Sequence, residues 1–214
     1  MLCVKEPLVA APSRTMRRET GGFGMGTAAT APERRGNGFT LVELLIVLAL
    51  LGVLSAVASP SLSAYRDECS VRAVAAEICG MIREARQRAL ADNSCYGVGF
   101  DPVGGKVSLL SGRGADGVWN TDDDQVVRSF AMAGRGGGVS FGYGACGPLP
   151  GLAAAADGVT FPTNNTLVCN PDLTGNAGTV YLFSRSGSAV AISVNSAEAG
   201  YKLYKWSGTR WVRI

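Results

Sequence analysis

Apolar residues along the chain fall into three regimes. From Phe39 to Ala58, in FTLVELLIVLALLGVLSAVA, they run almost unbroken over twenty residues, with Glu43 as the single charge. At about 1.5 Å per residue, a helix of that length spans about 30 Å, the thickness of a bilayer hydrocarbon core. Beyond Pro60 the run gives way to a repeat of three and four residues: Val71, Val74, Ile78, Ile82, Ala85 and Ala89. Arg72, Glu77, Arg83, Glu84 and Arg88 fall mostly on the other faces. This predicts an amphipathic helix with one stripe to bury, ending near Ala91 to Asn93. Glu84 and Arg88 add a favourable pair one turn apart. Pro60 removes a backbone donor and crowds the preceding turn, so a kink is expected there.

The third regime is a series of short β-prone runs punctuated by Gly, Asn, Asp and Pro. Strands are predicted near residues 95–100, 106–110, 125–132, 139–142, 158–161, 179–183, 189–194, 201–206 and 210–214. Ser207-Gly208-Thr209 reads as the turn of a final hairpin. Residues 133–178, rich in Gly and Ala, read mainly as long loops. The expected fold is therefore α+β: a long N-terminal helix, kinked near Pro60, packed on an antiparallel β-sheet body. Four segments follow. These are a leader over 1–38, a membrane or filament-core helix over 39–60, an amphipathic half over 61–93 and a β-rich body over 94–214.

Charge adds an orientation. The formal net charge is +3, and residues 1–38 carry all of it, with six basic against three acidic residues. Without the leader the chain is formally neutral, which argues against a globally basic nucleic-acid coat. Arg34 and Arg35 lie just before the apolar run and favour a cytoplasmic position for that end. The body then faces the other side of the membrane. Two other readings of this segment compete: an ordinary secretory signal, with Ala56-Val57-Ala58 as its cleavage site, and an ordinary membrane anchor, which explains the length and flanks but not Glu43.

The chemistry-bearing residues narrow the function. There is no histidine, so histidine-based triads, bases and metal ligands are excluded. No nucleophile elbow or phosphate loop is present, and no enzymatic activity is expected. Cys3 lies in the leader, leaving Cys69, Cys79, Cys95, Cys146 and Cys169. These match no zinc or redox spacing. In an oxidising compartment a disulfide between Cys146 and Cys169 is expected, with Cys69 and Cys79 as packing residues of the helix.

Glu43 is the outstanding feature. An ionisable group inside an apolar run is costly and needs a partner. The stretch Arg34-Arg35-Gly36-Asn37-Gly38-Phe39-Thr40-Leu41-Val42-Glu43 resembles the processing signal of type IV prepilins and type II secretion pseudopilins. The resemblance implies cleavage between Gly38 and Phe39 by a prepilin peptidase, which also N-methylates Phe39. It further implies that Glu43 pairs with the N-terminal amine of a neighbouring subunit during assembly. A helical spine followed by many strands and a closing hairpin is similar to the GspH/FimT group of minor subunits. The implied function is a minor pilin or pseudopilin, held in the inner membrane with its body in the periplasm or outside, and then built into a filament. Its partners would be the peptidase and other subunits.

Two local features bear on ligands. The loop Ser111 to Asp124 resembles the calcium loop of major pseudopilins. That resemblance makes Asp116, Asn120, Asp122, Asp123 and Asp124 candidate ligands for Ca2+, the one cofactor considered and not a required one. The alternative is a solvated acidic turn. In the final hairpin, Lys202, Lys205, Arg210 and Arg213 interleave with Tyr201, Tyr204, Trp206 and Trp211. Such a surface can hold DNA by phosphate contact and stacking, and some FimT-type minor pilins do so in natural transformation. Equally, the rings can fill one strand face while the cations solvate the other.

Overall fold

The computed structural model describes residues 38–196 and 200–214. The leader up to residue 37, with Cys3, Arg34 and Arg35, lies outside them. One long helix, α1 (Leu41–Ala91), opens the described chain. Its axis bends by 41° between Leu41–Ala56 and Ser61–Ala91, the interval in which the sequence has Pro60. No single helix among the described residues is long and apolar enough to cross a membrane, but these two segments pass that test together. The helix stops as the sequence suggests. Asn93 takes a left-handed φ of 48°, and the Ser94 N–H reaches back to the Ala89 carbonyl, the pattern of a Schellman cap.

Two antiparallel sheets follow. The first has the order β3-β2-β1-β5, from β1 (Tyr96–Asp101), β2 (Lys106–Gly112), β3 (Gln125–Ala131) and β5 (Thr166–Cys169). The second has the order β4-β6-β7-β8-β9. Its strands are β4 (Ser140–Phe141), β6 (Gly178–Phe183), β7 (Ala189–Val194), β8 (Tyr201–Trp206) and β9 (Trp211–Arg213). The predicted run at 158–161 is no strand and contributes only a bridge from Val159 to Val180. Strand β5, in contrast, lies inside the stretch expected to be loop. Its four residues are bounded by Asn165 and Asn170, too short a run to stand out by pattern.

The predicted helical stripe is the centre of the core. Val71, Val74, Ile78, Met81, Ile82, Ala85 and Ala89 are almost fully buried. They share one cluster with Val98, Phe100, Val107, Leu109 and Leu167 of the first sheet and with Val180, Leu182, Val190 and Ile192 of the second. Phe100 stacks on Phe161 at 5.6 Å and meets Phe141 edge-on at 6.2 Å, filling the seam between the sheets. The helix is tied at its edges by carboxylates. Glu68 pairs with Lys205, Glu77 with Arg135, and Glu84 with both Arg88 and Arg128. The first half of α1 contrasts with this: Leu44, Leu45, Ile46, Leu48, Leu50 and Leu51 are all more than half exposed.

Candidate functional site

The helix N-terminus is built by a local device. The Glu43 N–H donates to Thr40 Oγ1 at 3.2 Å, and the Leu44 N–H to the Thr40 carbonyl at 3.2 Å. Thr40 is therefore the N-cap and Glu43 the third helical residue, the T-x-x-E spacing of a capping box. Glu43 also sits where the helix macrodipole favours an anion. Thr40 is the residue that sequence reasoning passed over, and this spacing was the signal for it. Gly38 and Phe39 precede the cap, with Phe39 80% exposed. A Cβ on Gly38 would meet nothing within 4 Å, so the fold makes no demand for glycine there.

The acidic loop is held to the first sheet by two contacts with β1. In Tyr96-Gly97-Val98-Gly99-Phe100, Tyr96, Val98 and Phe100 point to the core, and the two glycines leave the opposite face bare. Trp119 occupies the space over Gly97, where a Cβ would come within 2.8 Å of its ring, and Asn120 occupies the space over Gly99. Asn120 takes a left-handed φ of 63°. Its amide donates to the Phe100 and Asn164 carbonyls, while the Asn164 amide donates to the Trp119 and Asn120 carbonyls.

The carboxylates of this loop mostly serve the loop itself. Asp124 is 8% exposed and accepts the N–H groups of Gly114, Asn120 and Thr121. Asp123 accepts from the Thr121 hydroxyl at 2.8 Å and from the Asp116 N–H. The Thr121 bond first, and the Asp116 amide second, hold the Asp123 carboxyl below its usual range. Asp116 caps the Val118 N–H at 2.8 Å. Among the described residues no three acidic or thiol side chains gather as a metal-binding group. The expected ligand set of Asp116, Asn120, Asp122, Asp123 and Asp124 is thus not assembled. Backbone amides, left without partners by the irregular loop, claim the carboxylates first.

The final hairpin departs from a simple two-faced pattern. Tyr201 and Leu203 pack against the main core. Tyr204 and Trp211 pack on the opposite face against Leu149, Tyr181 and Ala191. There the rings of Tyr143, Tyr181, Trp211 and Trp206 succeed one another at 5.5 to 6.0 Å. The basic residues separate accordingly. Lys205 lies on the helix side, bonded to Glu68. Lys202, Arg210 and Arg213 are exposed, and Arg213 is paired in register with Tyr204. The structure brings three of the four cations to the open surface and withdraws the fourth.

The expected disulfide is not formed: Cys146 and Cys169 are both free thiols. They belong to different parts of the body. Cys169 lies on β5 in the core under the helix, and burial pushes its thiol up to about 11. Cys146 sits in a 3-10 turn (Gly144–Cys146) by the second sheet, where its sulfur donates weakly to the Gly187 carbonyl at 3.7 Å. Cys79 is buried as expected, its thiol also near 11 through desolvation. Cys69 is exposed.

Residues 34–59 match the family described as the prokaryotic N-terminal methylation motif. A fimbrial protein of Pseudomonas aeruginosa is 30% identical over 112 residues, covering 47% of this chain and 70% of the relative. The major component of the type IV narrow pilus of Thermus thermophilus, PilA5, is 30% identical over 106 residues, covering 48% of this chain and 90% of that one. Among solved structures, the minor pseudopilin EpsH of the Vibrio cholerae type 2 secretion system aligns with a TM-score of 0.42 at 11% identity. That alignment covers 63% of this chain and 95% of EpsH.

Proposed function

The chain belongs to the type IV pilin-like proteins, the class that includes pilins and type II secretion pseudopilins, and on that premise we propose that it is a minor filament subunit. It is cut after Gly38, N-methylated on Phe39, and held in the inner membrane by the first half of α1 until assembly. Its partners are the peptidase that processes it and the subunits it joins. The observation that carries this reading is the contrast within one helix. The stripe from Val71 to Ala89 is buried by the body, whereas the leucines before the bend are bare on every side. A helix apolar all round needs a covering that the described residues do not supply, from lipid first and from neighbouring helices afterwards. Gly38 adds support, because nothing in the packing asks for a glycine.

Glu43 supplies the selection step. A carboxylate taken into an apolar filament core costs several kcal/mol unless paired, so a correctly placed amine from the next subunit fixes the register. The test is expression of the full chain with a prepilin peptidase, followed by mass spectrometry of the membrane-bound product. The expected N-terminus is methylated Phe39, and Glu43→Val is expected to be processed and inserted but to enter filaments poorly. A product starting after Ala58 would mark an ordinary secretory signal and end this reading.

A second reading is a DNA-binding minor pilin. It is favoured by Lys202, Arg210 and Arg213, three cations without an ion-pair partner among the described residues, beside the half-buried rings of Trp206 and Trp211. Lys205 does not belong to that set, since Glu68 holds it.

A further inference from the structure

The outer face of the first sheet holds a cavity of about 380 Å3 that no part of the filament reading uses. Its origin lies in β1 and β2. Val107 and Leu109 point to the core, so Ser108 points to the outer face, directly across from Gly99. Gly99 has no side chain to cover it, and Asn120 arches over that glycine from the acidic loop. Ser108 is only 7% exposed, it lines this cavity, and its hydroxyl makes no hydrogen bond among the described residues. The hydroxyl is reached through the cavity, since among the described residues Arg86 Nε alone is a fully buried side-chain polar atom without a partner, and the hydroxyl is therefore open to a ligand's hydrogen bond. Around it stand Lys106, Asp101 and Asp122. Lys106 and Asp122 make no internal ion pair or hydrogen bond among the described residues. Asp101 spends only one oxygen, Oδ1, on the Val103 and Gly104 amides.

The mixture of groups selects the ligand chemistry. Two carboxylates against one ammonium disfavour phosphates and polyanions. The ammonium disfavours a bare cation. The apolar part of the lining is small, so a hydrophobic ligand would leave the polar groups unpaired. What remains is a neutral ligand dense in hydroxyls: carboxylates accept from them, the ammonium donates to them, and the Ser108 hydroxyl does either. We infer that the cavity between Ser108, Asn120 and Asp122 is a binding site for a short neutral saccharide. The volume lies within the range of ordinary small-molecule sites. This site stands apart from the α1 surface, so its failure would leave the filament reading untouched.

The test is calorimetric titration of the full chain, solubilised in a polyoxyethylene detergent rather than a glycoside, with maltose, cellobiose and N,N′-diacetylchitobiose. At least one of these is expected to bind saturably. Asp122→Ala removes a carboxylate with no internal bond, so the loop keeps its fold, and binding is expected to weaken roughly five- to tenfold, the share of one hydrogen bond. Ser108→Val, which puts a methyl in place of the hydroxyl, is expected to abolish it, with melting curves confirming that both variants are folded. The inference is overturned if no disaccharide binds, if both folded variants bind as the parent does, or if calcium chloride alone gives the saturable response.

Discussion

Lys205 on β8 donates to the Glu68 carboxylate on α1, joining positions 137 apart in the chain. The contact ties the second sheet to the helix just after the bend. Arg72, one turn further on, bonds the same Glu68 oxygen.

This pair gives a pH dependence. Its hydrogen bond to Lys205 is the largest cause of a lowered Glu68 pKa, with the Lys205 and Arg72 charges assisting. The folded value lies below the unfolded one. Ionised Glu68 therefore stabilises the fold above the ordinary carboxylate range, and that contribution is lost as pH falls through the depressed value. Both side chains are 30% exposed, so the pair is worth about 0.5–1 kcal/mol. Glu68→Gln is expected to melt lower than the parent near neutrality and to match it in acid. A gap that stays constant from neutral pH to acid would refute the assignment.

The acidic loop gives a second prediction. Asp124→Ala strands three amides that now share its carboxylate, at a cost on the order of 2–3 kcal/mol. Trp119 should then leave its place over Gly97, giving a red-shifted tryptophan emission alongside the lower melting temperature. Asp122→Ala, by contrast, should melt like the parent.

The thiols give a third. Native protein treated with iodoacetamide at pH 8 should label at exposed Cys69 first. Cys79 and Cys169, with thiols near 11 and no solvent access, should label only after unfolding. Peptide mapping without reductant is expected to find Cys146 and Cys169 as separate thiols, and a linked peptide would disprove this.

The hairpin gives a fourth. If the DNA-binding reading holds, exchanging Lys202, Arg210 or Arg213 for Gln should each lower affinity and shallow the salt dependence by about one counterion. Lys205→Gln should leave the salt slope alone. Equal effects at all four positions would show that the ion pair with Glu68 does not withhold Lys205.

Local rules made much of the fold legible. Helical periodicity located the stripe from Val71 to Ala89, because every residue of a long helix repeats the same geometry. Short β-prone runs bounded by Gly, Asn, Asp and Pro located most strands, but they missed β5, whose four residues carry too little pattern. They also suggested a strand at 158–161, where only Val159 bridges Val180. Gly97 and Gly99 were visible in the sequence, yet nothing local said that Trp119 and Asn120 would fill the spaces above them.

By itself, then, the sequence determined the spine of this protein: the processing signature ending at Gly38, the apolar run with Glu43 near its start, and the buried helical face. Those features depend on neighbours within one or two turns. The tertiary structure alone decided how the remaining polar groups are used. It assigned Lys205 to Glu68, gave the carboxylates of Asp123 and Asp124 to loop amides, separated Cys146 from Cys169, and left Ser108 without a partner. Each of those outcomes depends on which distant group arrives first at a side chain, and chain spacing does not encode that.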